Sequence, residues 1–504
     1  MHLAAIGIED LFLTTTPQVT FFKIVYRRHT NFSIEEIRQN FNEYADFETK
    51  VTASLSRNGD LIEKTTLIIN LPKINSFNDG ISKVAWVKDI GYRIIKSISI
   101  EINGRTICRH YGEWMYLYNE IFNSQNNKFS KMIGNVPELL EFTNGKNPYT
   151  LYIPLQFWFN KNSGSALPII ALLYSDVKIN LELNSLDYCL KVTPSHYIKC
   201  NADIVNFEDN EFIYQEIDGI SYNGIYNSYD INNRYLYYYL TSKNNFNSIP
   251  YGTINTSFYT IIGINSLFQV EPYTQQSESR VITPQRYQNN KINVHLGEVY
   301  LLVNYIYLDD NERMKFSQTK HDYLIEQIYY TENNEITGPI ESININVDNP
   351  AVLGVWLLQQ QYIYNSKYYD NYTNNFTINK STNANIVQRV LNTLTTSLIE
   401  EATILLNDKE RISTRNDKYY NLIQPYNNNA NSLPLGVNMY SFSLNPISTQ
   451  PAGSCNMSKM ETIKLKIKTN PILSTNNLGI FRCYFMCYNI LRIANGFGGV
   501  IFEK

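Results

Sequence analysis

The sequence is poor in the features that mark disulfide-rich, membrane-spanning and nucleic-acid-binding proteins. Its six cysteines among 504 residues are too few for a disulfide framework, so we expect free thiols in a reducing compartment. No apolar run approaches the ~18 residues that are needed to cross a bilayer. Only 18% of the residues are charged and the net charge is −3, which argues against a broad basic face. We therefore expect no direct binding to nucleic acid.

Motifs for catalysis, metals and cofactors are also missing. The six histidines never pair at the spacing of metal ligands, and none lies near a nucleophile elbow. Cys483 and Cys487 lie in a strand-like run, where four residues separate Cα atoms by about 13 Å, too far for one zinc ion. "NGFGGV" at 495–500 is not a dinucleotide-binding motif and predicts a tight turn. We assign no catalytic, metal-binding or cofactor-binding residue and interpret the chain as a non-enzyme with two buried thiols at 483 and 487.

What the chain has in abundance is aromatic residues, with 40 tyrosines and 24 phenylalanines. Aromatic and β-branched side chains suit half-buried pleated surfaces, and the recurring asparagines suit turns. The length favours two domains rather than one core. These features predict a mostly β protein with long loops.

Alternating apolar and polar residues predict several half-buried antiparallel strands. The clearest are "VKINLEL" at 177–183 and "ETIKLKIKT" at 461–469, and a third runs through Ile98, Ile100 and Ile102. Asn103-Gly104 then predicts a two-residue hairpin turn. Asn58-Gly59-Asp60 predicts a second such turn between two neighbouring strands.

Other segments give different signals. "GEWMYLYNEIF" at 112–122 is the best helical candidate, whereas 386–406 fits either a helix or a strand. Residues 184–296 are rich in Tyr, Asn and Ser, and residues 361–385 are nearly low in complexity. We interpret both stretches as loops inserted at the surface of a β scaffold.

Residues 20–32, "TFFKIVYRRHTNF", place apolar side chains on both faces of a possible strand. A basic pair, Arg27 and Arg28, and then His29 follow the aromatic part. Because no other basic residues and no partners for His29 lie nearby, the nucleic-acid and catalytic hypotheses are weak. The pattern predicts a strand that enters a sandwich under cover from another element or subunit, with the two arginines at its end.

Five segments resemble, in the same order, the major capsid proteins of large icosahedral eukaryotic double-stranded DNA viruses. They are "TPQVTFFKIVYRRHTNFSIE" (16–35), "IPLQFWFNKNSGSALPIIALLYSDVKINLEL" (153–183), "VYLLVNYIYLDDNERMKFSQTKHDYLIEQI" (299–328), "MYSFSLNPISTQPAGSCNMSKM" (439–460) and "YNILRIANGFGGVIF" (488–502). Two departures concern loops: Asn407-Asp408 replaces the usual Asn-Gly, and "STQPAG" at 448–453 lacks a frequent acidic residue.

The resemblance implies an all-β fold of two consecutive eight-stranded antiparallel jelly rolls with long loop insertions and few short helices. It implies an N-terminal arm at 1–30 and a first jelly roll at 31–312, with its insertion around 184–296. The second jelly roll then covers 313–504, with a low-complexity loop around 361–385. It also favours a strand and turn for "ATILLNDKER" at 402–411.

The same resemblance implies a major capsid protein, a structural subunit that trimerises into pseudo-hexameric capsomers tiling an icosahedral shell. The expected partners are further copies of the chain, neighbouring capsomers, and minor capsid and penton proteins. An inner membrane layer could be reached through the N-terminal side. The expected location is the virion, after assembly in the host cytoplasm or a virus factory.

The candidate interface residues lie in the N-terminal arm: Phe21, Lys23, Tyr26, Arg27 and Arg28. The alternative for the two arginines is an intramolecular salt bridge within the first barrel. Two alternatives stay open for the whole chain. One is a membrane-shaping scaffold or minor capsid paralogue of the same lineage, and the other is a carbohydrate-binding or carbohydrate-cleaving β-sandwich whose tyrosines stack on sugars.

Overall fold

The structure is a computed structural model in which strands predominate. It describes residues 8, 14–24, 26, 28–122, 126–218, 220–242, 245–247, 259–273, 280–281, 294–374 and 395–502.

The strands of the first part of the chain form a jelly roll and an additional sheet. In chain order they are β1 (Phe32–Asn40), β2 (Lys50–Ser54), β3 (Leu61–Leu71), β4 (Lys83–Trp86), β5 (Ile95–Ile102), β6 (Arg105–Tyr111), β7 (Tyr149–Pro154), β8 (Leu167–Pro168), β9 (Val177–Leu183), β10 (Leu190–Thr193), β11 (His196–Lys199), β12 (Phe212–Ile217), β13 (Ile220–Asp230), β14 (Tyr235–Leu240), β15 (Ile261–Gly263), β16 (Gln269–Val270), β17 (Arg280–Val281) and β18 (Val299–Leu308).

The first barrel consists of two antiparallel sheets packed face to face. One has the order β1-β18-β3-β7, with the short β8 beside β3, and the other has the order β2-β9-β5-β6. Apart from the short β4 and β8, consecutive barrel strands therefore alternate between the two sheets except at the β5–β6 hairpin, and β18 returns beside β1. This is the connectivity of an eight-stranded jelly roll.

The predicted loop insertion at 184–296 contains a folded sheet of its own within its described part. The sheet has the order β16-β15-β12-β13-β14-β11-β17. It buries a separate core that includes Ile198, Ile213, Leu236 and Phe246. At the start of the insertion, β10 pairs with β4 in a separate two-stranded sheet. The insertion is therefore a β subdomain rather than a loop.

The second part of the chain repeats the strand order of the first. Its strands are β19 (His321–Ile336), β20 (Ile340–Asn344), β21 (Pro350–Gln360), β22 (Ile399–Leu406), β23 (Lys409–Asn416), β24 (Val437–Ser441), β25 (Cys455–Asn456), β26 (Ile463–Thr469), β27 (Gly479–Ala494) and β28 (Phe497–Val500). The sheets are β19-β27-β21-β24, extended by β25 and β28, and β20-β26-β22-β23. Position by position this matches the first barrel, and the predicted double jelly roll is confirmed.

The helices are short and lie in the connections. They are α1 (Ile90–Arg93), α2 (Gly112–Phe122), α3 (Asn126–Met132), α4 (Pro137–Leu140), α5 (Trp158–Lys161), α6 (Leu186–Cys189), α7 (Asp310–Gln318), α8 (Gln361–Asn365) and α9 (Gln424–Asn427). The predicted helix at 112–122 is confirmed as α2. A π-helical turn at Tyr419–Ile423 runs directly into α9. None of the helices in the described ranges has the length and apolarity that a bilayer span requires.

Three predicted turns are confirmed by their backbone angles. Asn103 and Gly104 have φ of 52° and 79° between the paired strands β5 and β6, as a type I′ hairpin requires. Asn407 and Asp408 have φ of 50° and 58° between β22 and β23, so the missing glycine does not prevent the left-handed turn. Asn495 and Gly496 likewise connect β27 to β28 with φ of 55° and 82°.

The stretch at 386–406, which fits either a helix or a strand by its sequence, ends in a strand: from Ile399 it forms β22. Residues 386–394 lie outside the described residues.

Two local predictions are wrong. The turn at 58–60 does not close a hairpin, because β2 pairs with β9 and β3 pairs with β18 and β7 in the opposite sheet. The turn instead carries the chain from one sheet to the other. The strand predicted within 20–32 begins only at Phe32, since the described residues before it have no partner strand in the single chain.

The buried cores show how the barrels are joined. One core fills the first barrel and continues across Val355, Leu357, Met439 and Met486 of the second barrel. A second core, with Trp356, Ile467 and Phe485, fills the interior of the second barrel. The sheet containing β21 and β27 therefore has a buried layer on each face.

Candidate assembly surfaces

The junction between the barrels forms where α2 and β6 of the first barrel cover the outer face of the β19-β27-β21-β24 sheet. Trp114 and Leu117 of α2 are fully buried in the same core as Met486 of β27. The rings of Tyr111 and Tyr330 lie 4.8 Å apart across the junction, and those of Trp114 and Tyr484 lie 5.8 Å apart. Aromatic packing over this face fixes the two barrels as one unit.

A buried charge network lies at the centre of the junction. The Glu113 carboxylate lies 2.7 Å from Arg482 Nε and 3.3 Å from Arg93 Nη1. The Tyr484 hydroxyl donates to Glu113 Oε2 at 2.8 Å. The arginines also donate to the second barrel, Arg93 to the Tyr369 carbonyl at 3.1 Å and Arg482 to Gln359 Oε1 at 2.7 Å.

The two arginines of the network keep their charges despite burial, because the pKa of each is raised. Burial alone would lower the pKa of Arg482, but Glu113 together with the neighbouring Tyr484, Tyr372 and Tyr364 outweighs burial, and the pKa is raised. A carboxylate that is shared by two buried guanidinium groups holds both in fixed positions. One carboxylate therefore connects α1, α2 and β27.

A second ion pair joins the barrels at Lys161, at the end of α5, and Glu326 of β19. The Lys161 ammonium also lies 4.4 Å from the ring centre of Tyr118. Burial alone would lower the pKa of Lys161, but Glu326 and Tyr118 together outweigh burial, and the pKa is raised. Next to this pair, Gln327 Nε2 donates to the Ile107 carbonyl at 2.7 Å, so β19 is held along β6 by both charge and hydrogen bonding.

Cys108 and His110 form a buried pair on β6, with Cys108 Sγ 3.2 Å from His110 Nε2. Burial raises the pKa of the Cys108 thiol to about 12 and lowers the pKa of His110 to about 3. Reactive cysteines need a lowered thiol pKa, and this environment does the opposite. The pair packs the junction, with the His110 ring stacked 5.1 Å from Phe157.

A cleft of about 410 Å³ opens along the junction. Tyrosines 111, 330 and 484 line it, and its charged groups carry both signs: Lys96, Arg109, Arg482, Glu113, Glu182 and Glu332. The mixture of signs does not favour an anion or a cation as a ligand. Among the described residues, no group of three or more His, Cys, Asp or Glu side chains is arranged to hold a metal ion.

The candidate interface residues of the N-terminal arm lie at the surface. Phe21 is 93% exposed and Tyr26 is 85% exposed, with Lys23 and Arg28 also exposed. Arg27 lies outside the described residues. Within the described part of the chain, neither Lys23 nor Arg28 belongs to an ion pair. The arm therefore presents apolar and basic groups to the outside of the single chain.

The buried thiols were predicted from the sequence, whereas the buried charged residues of the junction were not. Cys483 and Cys487 are buried in β27, as predicted. Sequence reasoning missed Glu113, Arg93 and Arg482. The available signal was a charge inside an apolar run, as in "GIFRCYFMC" around Arg482 and "GEWMYLY" around Glu113, because a lone charge there needs a buried partner.

Comparison with known proteins identifies this two-barrel arrangement. The family described as major capsid protein N-terminus matches residues 20–229, and the family described as large eukaryotic DNA virus major capsid protein matches residues 312–499. A probable capsid protein of Acanthamoeba polyphaga mimivirus is 37% identical over 520 residues, covering 100% of this chain and 99% of that protein. This chain belongs to the family of large eukaryotic DNA virus major capsid proteins.

Other members of the capsid protein family match over the same extent. The major capsid protein of Phaeocystis pouchetii virus is 28% identical, covering 100% of this chain and 99% of that protein. The Faustovirus major capsid protein structure has a TM-score of 0.65 at 10% identity, covering 97% of this chain and 94% of that one, which shows the shared fold. Capsid proteins are virion components, and the junction described above is the internal joint of a double jelly-roll capsid subunit.

Proposed function

We propose that the chain is the main shell subunit of a large icosahedral DNA virus and that three copies assemble into a pseudo-hexameric capsomer. The observation that carries this proposal is the repetition of one strand order in two barrels that are fixed side by side. Three such chains present six similar sides, which suits a hexagonal lattice while true threefold symmetry closes the oligomer. The capsomers would contact one another and the minor capsid and penton proteins.

The proposed division of the chain is an arm at 1–30, a first jelly roll at 31–312 and a second at 313–504. The strand bounds support it, because β1 begins at Phe32, β18 ends at Leu308 and β19 begins at His321. The subdomain within 184–296 would project from the capsomer surface, since it has its own core and does not contribute strands to either barrel.

The N-terminal arm would contact neighbouring capsomers, minor capsid proteins or an inner membrane layer. Exposure of Phe21, Phe22, Ile24 and Tyr26 supports this role, because such a run of uncovered apolar side chains is unusual on a free surface. Assembly would take place in the host cytoplasm or a virus factory. The net charge of −3 is consistent with a shell that does not bind the genome directly.

Two measurements test the proposal. Light scattering of the purified chain should give three times the 58.6 kDa mass of one chain, whereas a stable monomer contradicts the capsomer. Quantitative proteomics of purified virions should place the chain as the most abundant shell protein. A low copy number would instead indicate a minor paralogue, and abundance only in immature particles would indicate a transient scaffold.

A further inference from the structure

The insertion subdomain and the N-terminal arm leave the first barrel at opposite ends. The turn at 58–60 joins the end of β2, beside Lys178 of β9, to the start of β3, which lies beside the end of β18. The same end of β18 pairs with Phe32, where the arm enters the barrel. Strand β9 runs away from this end and leads into the subdomain after Leu183. The subdomain therefore emerges at the end of the barrel that lies away from the arm.

Three tyrosines form a cluster, the tyrosine platform, on one face of the subdomain sheet. The ring of Tyr197 on β11 lies 4.9 Å from that of Tyr235 and 6.0 Å from that of Tyr237, both on β14. The rings of Tyr235 and Tyr237 lie 6.4 Å apart. Because side chains alternate along a strand, Leu236 between them points to the opposite face, into the subdomain core. All three tyrosines are half-buried, so part of each side chain is open to solvent.

The hydroxyl groups of the platform differ from those of tyrosines that hold the subdomain in place. The Tyr229 hydroxyl donates to the Ala202 carbonyl, and the Tyr239 hydroxyl donates to the Ser366 carbonyl at 3.0 Å. Among the described residues, none makes a hydrogen bond with a platform hydroxyl. The platform therefore offers both ring surface and hydrogen-bonding capacity to a ligand.

Charged groups of both signs border the platform. Lys199 lies opposite Tyr235 in the pairing of β11 with β14, and its ammonium lies 4.6 Å from the ring centre of Tyr273. Asp230 of β13 lies opposite Tyr235 on the other side. Burial and the nearby Asp230 carboxylate raise the pKa of Tyr237, so its hydroxyl stays protonated and can donate. One cation and one anion at the border favour a neutral polar ligand over a charged polymer.

We propose that the tyrosine platform binds a neutral polysaccharide, whose sugar rings stack on the tyrosine rings. Sugars combine an apolar ring face with hydroxyl groups, which match the aromatic surface and the free phenol groups of the platform. An apolar protein partner would leave these hydroxyls unpaired, and a nucleic acid would need a basic surround, which Asp230 interrupts. The proposal goes beyond the capsomer and does not depend on it. If the arm contacts the inner layers of the shell, the platform faces outwards and can reach polysaccharides outside it.

Saturation-transfer NMR of the purified chain tests the binding. The probes are neutral hexasaccharides of glucose, mannose and N-acetylglucosamine, with heparin as an anionic probe. We expect transfer to at least one neutral probe, and the double variant Tyr197→Ala with Tyr237→Ala should weaken that binding at least about tenfold. Tyr237→Phe keeps the ring and should keep most of the binding. Tyr174→Ala, at a 68% exposed position in the loop before β9, is the matched control and should bind as the wild type does.

A second measurement needs no variant. In the wild type, the neutral hexasaccharide that binds should protect the three platform tyrosines from nitration by tetranitromethane, as mapped by mass spectrometry. Nitration that is unchanged by the sugar would overturn the proposal.

The remaining outcomes separate this proposal from the capsomer. Absence of transfer to every neutral probe, or equal binding by the double variant, would overturn the platform and leave the capsomer standing. Transfer to heparin alone would show that charge governs this face and would overturn the platform too. Light scattering of the same samples supplies the last distinction. A double variant that loses the wild-type trimer would assign the platform to a contact between copies, whereas a monomeric wild type that binds the sugar contradicts only the capsomer.

Discussion

β18 and β27 occupy the same position in their two barrels, second in sheets of matching order, yet their environments differ. In β27, the first nine residues, Gly479 to Cys487, are all buried. In β18, buried residues such as Leu301 and Val303 alternate with half-buried ones such as Leu302. The difference arises because α2 covers the outer face of the second barrel's sheet, whereas β18 keeps half-buried residues on its outer face, apart from Ile306, which packs with Phe316 of α7.

The comparison shows how one fold can serve two roles within a chain. A sheet that is buried on both faces needs a continuous apolar run, and "GIFRCYFMC" supplies one, with Arg482 as the exception that Glu113 neutralises. A sheet with one uncovered face can keep polar residues such as Asn304 and Lys64 there. The sheet of the second barrel is thus buried on both faces, whereas that of the first barrel keeps a partly exposed outer face in the described part of the chain.

Among the predicted changes, removing the Glu113 side chain from the buried junction should lower the free energy of unfolding the most. Glu113→Ala leaves Arg93 and Arg482 buried without their shared carboxylate, and we expect a loss of about 3–5 kcal/mol in the free energy of unfolding. Chemical denaturation at one fixed protein concentration measures it. The control is Glu298→Ala on the exposed side, whose 64% exposed side chain pairs with Arg38, with an expected change within about 1 kcal/mol. Equal losses in the two variants would contradict the central role of the buried network.

The second-largest effect should come from acid, which should lower the stability of the chain through His110 in the buried junction. Because burial lowers the pKa of His110 to about 3, the folded chain keeps this ring neutral while the unfolded chain protonates it below about pH 6.5. Stability therefore falls as the pH drops from about 6.5 towards 3, by about 2 kcal/mol at pH 5. Unfolding curves between pH 7 and 5 should show a shallower pH dependence for His110→Gln than for the wild type. An unchanged pH dependence in His110→Gln would show that His110 does not contribute to the loss of stability in acid.

Local patterns in the sequence predict the elements that depend on local physics. The alternation in 177–183, the turn at Asn103-Gly104 and the apolar stripe of α2 each determine their own structure. The hydrogen bond from Tyr484 to Glu113 joins residues that are 371 positions apart, so no local pattern encodes it. The strand wrongly predicted before Phe32 has the composition of a covered strand, but the described residues of the chain provide no strand that pairs with it.

The hydroxyl of Tyr484 should have a smaller effect than the charge it contacts. Tyr484→Phe removes one hydrogen bond to the buried Glu113 carboxylate and keeps the ring packed against Trp114. We expect a loss of about 1.5 kcal/mol in the free energy of unfolding. Tyr300→Phe, on the uncovered sheet face, is the matched control and should be nearly neutral. A neutral Tyr484→Phe variant would show that the two arginines alone hold Glu113.

The smallest effect on stability should come from substitutions in the exposed N-terminal arm, which precedes the first barrel. Phe21 and Phe22 are 93% and 98% exposed, so replacing both with serine should change the free energy of unfolding by less than about 0.5 kcal/mol. Their apolar surface has no partner in the folded chain, and it should matter only when capsomers meet. We therefore expect the double variant to remain trimeric but to lose ordered lattices in negative-stain electron microscopy. Normal lattices from this variant would exclude the arm as a capsomer contact, whereas a clear fall in the free energy of unfolding would show that the arm packs on its own barrel.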